Sequence, residues 1–256
     1  MRNLLRFISL CVLLLLFLAA CRPTARVAES AAATPEDDIH LLLRSDCLEI
    51  GYHIPCKQPH WVRYTLRREM TEGPARRKDN FRPDPRIPES KSAQLADYAR
   101  SGYDRGHLAP AADMTHSQEC MDESFWLSNI SPQTAGCNRG VWKRLEEQVR
   151  RWTHSHDSIL VYTGPILQNH QNFSSIGSGE VCVPEAYYKA LLFYADNDFY
   201  ALAFVIPNEN SPEPLTSFAM SVQQLETTCG LDFFSHLADT TQQRIEAVEN
   251  HPGLWE

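Results

Sequence analysis

No two cysteines of this 256-residue chain stand at CxxC spacing, which argues against a structural zinc site although eight cysteines are present. No segment repeats internally, so a solenoid is excluded. Strands and helices do not follow strict βαβ alternation, which argues against a doubly wound parallel sheet. Positive charge is not in excess either: 24 Lys and Arg against 32 Asp and Glu leave −8, which taken alone argues against a polyanionic partner. The apolar run from Phe7 to Ala20 is too short to span a bilayer comfortably and ends in small residues.

Present instead is a composition 43% hydrophobic and 22% charged, that of a globular protein with a sizeable core, and a length that suits one domain. Arg2 and Arg6 precede the apolar run, so residues 1–20 read as an export signal. Its end, "LAAC" at Leu18 to Cys21, resembles the lipobox of bacterial lipoproteins and makes Cys21 the expected lipidation site; an ordinary signal peptide that happens to end in Cys is the alternative. Residues 21–38 lack an apolar period and read as a solvated tether, leaving 39–256 as the folded domain. The expectation is an exported lipoprotein held at a membrane through Cys21, and Arg22, not being Asp, leans toward the outer membrane.

Apart from Cys11 and Cys21, six cysteines remain, and an even number in an exported chain favours three disulfides among 15 possible pairings. The pairing expected is Cys47 with Cys56, Cys120 with Cys137, and Cys182 with Cys229. Charge is uneven: residues 57–86 carry nine basic side chains against four acidic ones, while 185–256 carry eleven acids against Lys189 and Arg244. A basic lobe of this kind attracts phosphate locally; a solvated basic loop is the plainer reading.

Alternation in "HWVRYTLRREM" (60–70) suits a strand, and the Pro-rich stretch after it suits a long loop. Val141, Trp142, Leu145, Val149 and Trp152 recur at helical spacing, with Asn138 as the expected N-cap. Residues 158–167, 187–194 and 200–207 read as buried strands, and 221–230 as a helix with a Ser221/Gln224 capping box and a Gly230 stop. The fold class is α+β, with a mixed, largely antiparallel sheet. The tetrad "DRGH" (104–107) sets an imidazole beside an acid and a guanidinium and ahead of small residues that would admit a substrate. His154 and His156 form an HxH that suits a solvated turn better than a metal.

"DRGHLAPAADM", then "FWLSNISPQ" (125–133), "NRGVWKRLEEQVR" (138–150) and "VYTGP" (161–165) together resemble the signatures of the DNA/RNA non-specific endonucleases, of the ββα-metal (His-Me finger) superfamily. The resemblance runs from about residue 60 to 230. It implies a ββα-metal core, His107 as general base, and Asn138 as the one protein ligand of a hydrated divalent cation, with Mg²⁺ first and Mn²⁺ or Ca²⁺ as alternatives. It implies that Glu146 and Arg150, one helical turn apart, orient the water on that ion; a plain surface ion pair is the alternative. Arg77, or Arg76 beside it, is the expected phosphate contact; Arg105 and Asn129 support the site. Asp104 is expected to brace the backbone or Arg105 rather than bind metal. DNA and RNA are the implied substrates, and some members of the family are held in check by a protein inhibitor. The competing readings are a catalytically silent nucleic-acid-binding lipoprotein and a phosphodiesterase for other phosphate esters.

Overall fold

The computed structural model describes residues 41–195, 198–249 and 251–255. The export signal, Cys21 and the tether lie outside the described residues. In chain order the strands are β1 (Leu41–Arg44), β2 (Glu49–His53), β3 (Gln58–Leu66), β4 (Asp104–His107), β5 (Ile130–Gln133), β6 (Ser158–Pro165), β7 (Ser175–Ile176), β8 (Val181–Cys182), β9 (Ala186–Ala195), β10 (Asp198–Pro207) and β11 (Ala219–Met220). The α-helices are α1 (Leu95–Tyr98), α2 (Gln118–Glu123), α3 (Lys143–Trp152), α4 (Val222–Cys229) and α5 (Asp239–Glu246).

Seven strands form one antiparallel sheet in the order β1-β2-β3-β6-β9-β10-β11. Its central strands are apolar on both faces, because both faces are covered. Along β9 the period-2 alternation sends Tyr187, Leu191 and Phe193 into one cluster with Leu145, Val149 and Trp152 of α3. Tyr188, Ala190 and Leu192 go to the other side, against Val222 and Leu225 of α4 and Phe233. A fully buried residue that touches neighbours on this scale contributes about 1.5–3 kcal/mol, so the sheet is held from both sides.

Against the first face lies a small unit made of β4, β5 and the helical segment that follows. β4 and β5 pair antiparallel, Asp104 opposite Gln133 and His107 opposite Ile130. Gly106 has no alternative there, since a Cβ would come within 2.1 Å of the Gln133 side chain. This ββα arrangement is the core expected from the sequence, on the α+β scaffold also expected.

The strands at 158–165, 186–195 and 198–207 and the helix at 222–229 match the expected elements, and the capping box between Ser221 and Gln224 forms, with Gly230 ending the helix at φ 70°. The helix after β5 differs. It opens two residues early, at Cys137, in a wide turn that is kinked at Gly140, whose backbone (φ −107°, ψ −108°) is not helical, before continuing as α3. Asn138 therefore sits inside the first turn, its N–H donating to the Thr134 carbonyl at 2.9 Å, and is not an N-cap. Its side chain is released from capping duty and turns outward.

The cysteine pairing also differs. The disulfides are Cys47–Cys120 and Cys56–Cys182, while Cys137 and Cys229 are buried free thiols. Neighbours in sequence lost to neighbours in space. Cys56, in the β2–β3 turn, reaches Cys182 on β8, and Cys47, in the β1–β2 turn, reaches α2. Among the described residues no helix is long and apolar enough to cross a membrane. Non-reducing peptide mapping should recover the 47–120 and 56–182 cross-links with free thiols at 137 and 229, and a Cys56→Ser/Cys182→Ser variant should lose about 2–5 kcal/mol of stability by denaturant titration.

Candidate active site

A cleft of about 620 Å³ opens beside the ββα unit, lined by Arg77, Asp79, Phe81, Arg105, Asn138 and Arg139 on its polar side. Leu95, Tyr98, Ala99, Tyr103 and Asp104 complete its lining. Strand β4 supplies Arg105 and His107, two residues apart and so on one face. Both side chains meet Phe81: the Arg105 guanidinium lies 4.2 Å over its ring, and the His107 ring is 5.3 Å from it. His107 also packs edge-on against Phe125 at 4.8 Å.

The His107 imidazole is 8% exposed, and its Nε2 is buried with no hydrogen-bond partner. A buried polar atom left open is costly and uncommon. Burial pushes the pKa down from 6.5 to about 3, and the charges of Arg77 and Arg105 push the same way, with Asp79 opposing. The ring is therefore neutral at ordinary pH.

Asn138 faces the cleft from the first helical turn. Its Nδ2 donates to Asp104 Oδ2 at 2.9 Å, which turns the carboxamide oxygen away from that carboxylate. Arg139 grips Asp104 with two bonds, at 2.7 and 2.6 Å. Burial alone would raise the Asp104 carboxyl, but the bonds from Arg139 and Asn138 outweigh it and hold the pKa below 3.8. Asp104 was expected to brace the backbone or Arg105; its side chain bonds Asn138 and Arg139, and Arg105, stacked on Phe81, reaches it by charge alone.

The basic loop before β4 is irregular yet anchored. Gln118 of α2 accepts from the Arg76 N–H and donates to the Arg76 carbonyl, and the Leu127 N–H donates to the Arg82 carbonyl at 2.9 Å. This places Arg77 in the cleft wall, bonded to Asp79 at 2.7 Å and 5.1 Å from the Phe125 ring centre, whereas Arg76 is exposed with its backbone tied to α2.

Asn129 is fully buried and staples the chain after His107. Its Oδ1 accepts from the Ala109 N–H at 3.0 Å, and its Nδ2 donates to the carbonyls of Ala109 and Ser124, each at 2.8 Å. Behind the cleft, Arg150 forms its ion pair with Asp113 at 2.8 Å, not with Glu146. The other Asp113 oxygen accepts from the Tyr64 hydroxyl at 2.7 Å. Glu146 is raised above 4.5 by burial, drawn back by the charge of Lys189 and pushed up again by Asp113. The surface-pair reading of Glu146 and Arg150 does not hold.

Asp113, Lys189, Tyr64 and Arg139 were not singled out by the sequence. The one signal was a lysine inside the otherwise apolar run "YYKALLFY". His156 belongs elsewhere, its Nε2 against the Tyr200 hydroxyl and its Nδ1 on the Trp152 carbonyl.

Among the described residues no three His, Cys, Asp or Glu side chains gather as a metal cluster. The donor the cleft does offer a cation is a neutral carboxamide oxygen, aimed by the hold of Asp104 on its nitrogen. Such a set suits a hard cation that keeps most of its water, and does not suit one that requires several soft or charged ligands. Replacing Asp113 with Ala would leave the partly buried Arg150 without its counter-charge; Asp113→Ala should lose about 3–5 kcal/mol in denaturant titration.

The family model for DNA/RNA non-specific endonucleases matches residues 50–240. A nuclease of Syncephalastrum racemosum is 39% identical over 219 residues, 75% of this chain and 68% of its own length. The mitochondrial nuclease EXOG of Homo sapiens is 37% identical over 210 residues, covering 76% and 57%, and mitochondrial endonuclease G of Homo sapiens is 35% identical over 189, covering 69% and 64%. This chain thus spans under two thirds of the length of the two human relatives. The crystal structure of the EndoG/EndoGI complex, which describes the mechanism of EndoG inhibition, aligns with a TM-score of 0.73 at 31% identity, over 78% of this chain and 88% of that one. With a family model matched from residue 50 to 240 and relatives above one-third identity, the chain belongs to the DNA/RNA non-specific endonuclease family.

Proposed function

We propose that this chain is a divalent-metal-dependent endonuclease that hydrolyses phosphodiester bonds in DNA and RNA with little sequence preference, exported and lipid-anchored through Cys21. The observation that carries the catalytic reading is the buried, unpartnered Nε2 of a neutral imidazole beside a cleft lined by arginines and one carboxamide. In the tautomer that carries its proton on Nδ1, a water reaching Nε2 meets a lone pair that no protein group uses. His107 takes the proton of that water as its oxygen attacks phosphorus and the P–O bond to the leaving oxygen breaks.

Arg77 and Arg105 face the incoming phosphate and answer its growing charge; both are held by aromatic rings, so little reorganisation is needed when it arrives. Asn138 would hold the hydrated cation by its carboxamide oxygen, with Asp104 fixing the amide's orientation. When bound, Mg²⁺, or Mn²⁺ or Ca²⁺ in its place, offsets charge on the phosphate and eases departure of the leaving oxygen. Glu146, as a carboxylate, accepts from the water around that site. Recognition through phosphates carries no sequence information, and it weakens with salt. Two disulfides support an oxidising compartment, and with it export.

The purified domain with Mg²⁺ should nick and degrade plasmid and ribosomal RNA, and chelator should stop it. His107→Ala should slow cleavage by about 10²–10⁴-fold, and Arg77→Ala by about 10². Tight DNA binding with no cleavage under any divalent cation would instead favour the silent binding protein.

The pH dependence separates the two titrating groups. The folded pKa of His107 is depressed, so its neutral base form persists well below 6.5 and kcat/KM for free enzyme should show no limb there. Glu146 is raised, so activity should fall on its limb as pH drops through values above 4.5, and Glu146→Gln should flatten that limb while lowering the rate. Because the fold resists protonating His107, stability should decline as pH falls below 6.5 toward about 3, a loss that His107→Phe should reduce in thermal melts across that window.

A further inference from the structure

Lys189 is 1% exposed, in the middle of β9 and on the face that carries Tyr187 and Leu191 toward the ββα unit. Its ammonium donates to the Leu108 carbonyl at 3.2 Å and to Thr163 Oγ1 at 3.1 Å, and lies 4.6 Å over the Trp142 ring. Trp142 in turn donates its indole N–H to the His107 carbonyl at 3.2 Å. Asn129 holds the Ala109 carbonyl at 2.8 Å. Three consecutive carbonyls, beginning at the general base, are thus each held by a side-chain donor from a different element.

Two of these donors are neutral and sit in the core at little cost. The third is an ammonium, and burying it is expensive unless its charge is answered. The charged groups facing it are Glu146 and Arg150 from α3 and Asp113 from the segment after β4, with Tyr64 of β3 bonded to Asp113. Asp113 is already paired with Arg150 at 2.8 Å. Glu146 is the acid left for Lys189. Burial draws Lys189 down while Glu146 holds it up, and the same charge acts in return on Glu146.

We propose that Lys189 is a positioning residue of this active site: by donating to the Leu108 carbonyl it fixes the backbone that carries His107. The inference rests on the endonuclease reading above and adds a residue, outside the cleft lining, that acts on the backbone of its general base.

The test compares Lys189→Met, Lys189→Arg and wild type on a fluorogenic oligonucleotide with Mg²⁺, measuring kcat, KM and the pH profile, with thermal melts to normalise to folded enzyme. In Lys189→Met the donor and the charge are lost: kcat should fall at least about tenfold with KM nearly unchanged, and the acidic limb should move to higher pH. In Lys189→Arg the charge returns with altered reach: kcat should stay low while the limb returns to the wild-type position. A folded Met variant with wild-type kcat and limb, and only a lower melting temperature, overturns the proposal. If the Met variant does not fold, the Arg variant decides, because a wild-type kcat in it contradicts the proposal. Inactive wild type would strike the endonuclease reading itself, a result distinct from active wild type with an indifferent Lys189.

Discussion

The site depends on one uncompensated polar atom. His107 Nε2 is walled by Phe81 and Phe125 and bonded to nothing. In a core this would be a defect of a few kcal/mol. Here the surrounding structure keeps it: no protein group takes the nitrogen, and burial with the charges of Arg77 and Arg105 disfavours a proton on the ring. A base that is neutral, rigid and unoccupied is what the proposed chemistry requires, and the fold offsets its cost through the sheet packed on both faces.

Rigidity comes from the backbone more than from the ring. The His107 side chain has aromatic contacts, but its main chain and the two residues after it are fastened by Trp142, Lys189 and Asn129, from the helical segment, the large sheet and the turn before β5. The small ββα unit would be marginal alone, because two four-residue strands and a helix bury little. Its attachment to β9 makes the seven-stranded sheet the frame on which the base is measured out.

Much of this was legible in the sequence, for identifiable reasons. Periodicity exposed β6, β9, β10 and α4, since each buries a regular face. The tetrad and the blocks after it exposed His107, Arg105, Asn138 and the ββα unit. The disulfides were not legible, because pairing depends on which turns meet in space, and the β2–β3 turn meets β8 rather than its own neighbour. Asn138 looked like an N-cap because Asn precedes an amphipathic run; the wide turn beginning at Cys137 absorbs it, and only three-dimensional packing reveals that. The partners of Arg150 and Asp104 were hidden likewise: local spacing favoured Glu146 and Arg105, while Asp113 and Arg139 come from approaches that sequence distance does not encode. Lys189 was visible as a lone charge in an apolar strand, yet nothing local indicated the carbonyl it holds.

In the proposed mechanism the Asn138 carboxamide and the His107 ring flank one reaction centre. Anomalous diffraction from crystals of the mature domain grown with Mn²⁺ would locate that centre. A single strong peak is expected in the cleft, within about 2.0–2.4 Å of Asn138 Oδ1 and otherwise surrounded by water. A peak bound elsewhere, with the Asn138 oxygen left free, would contradict it.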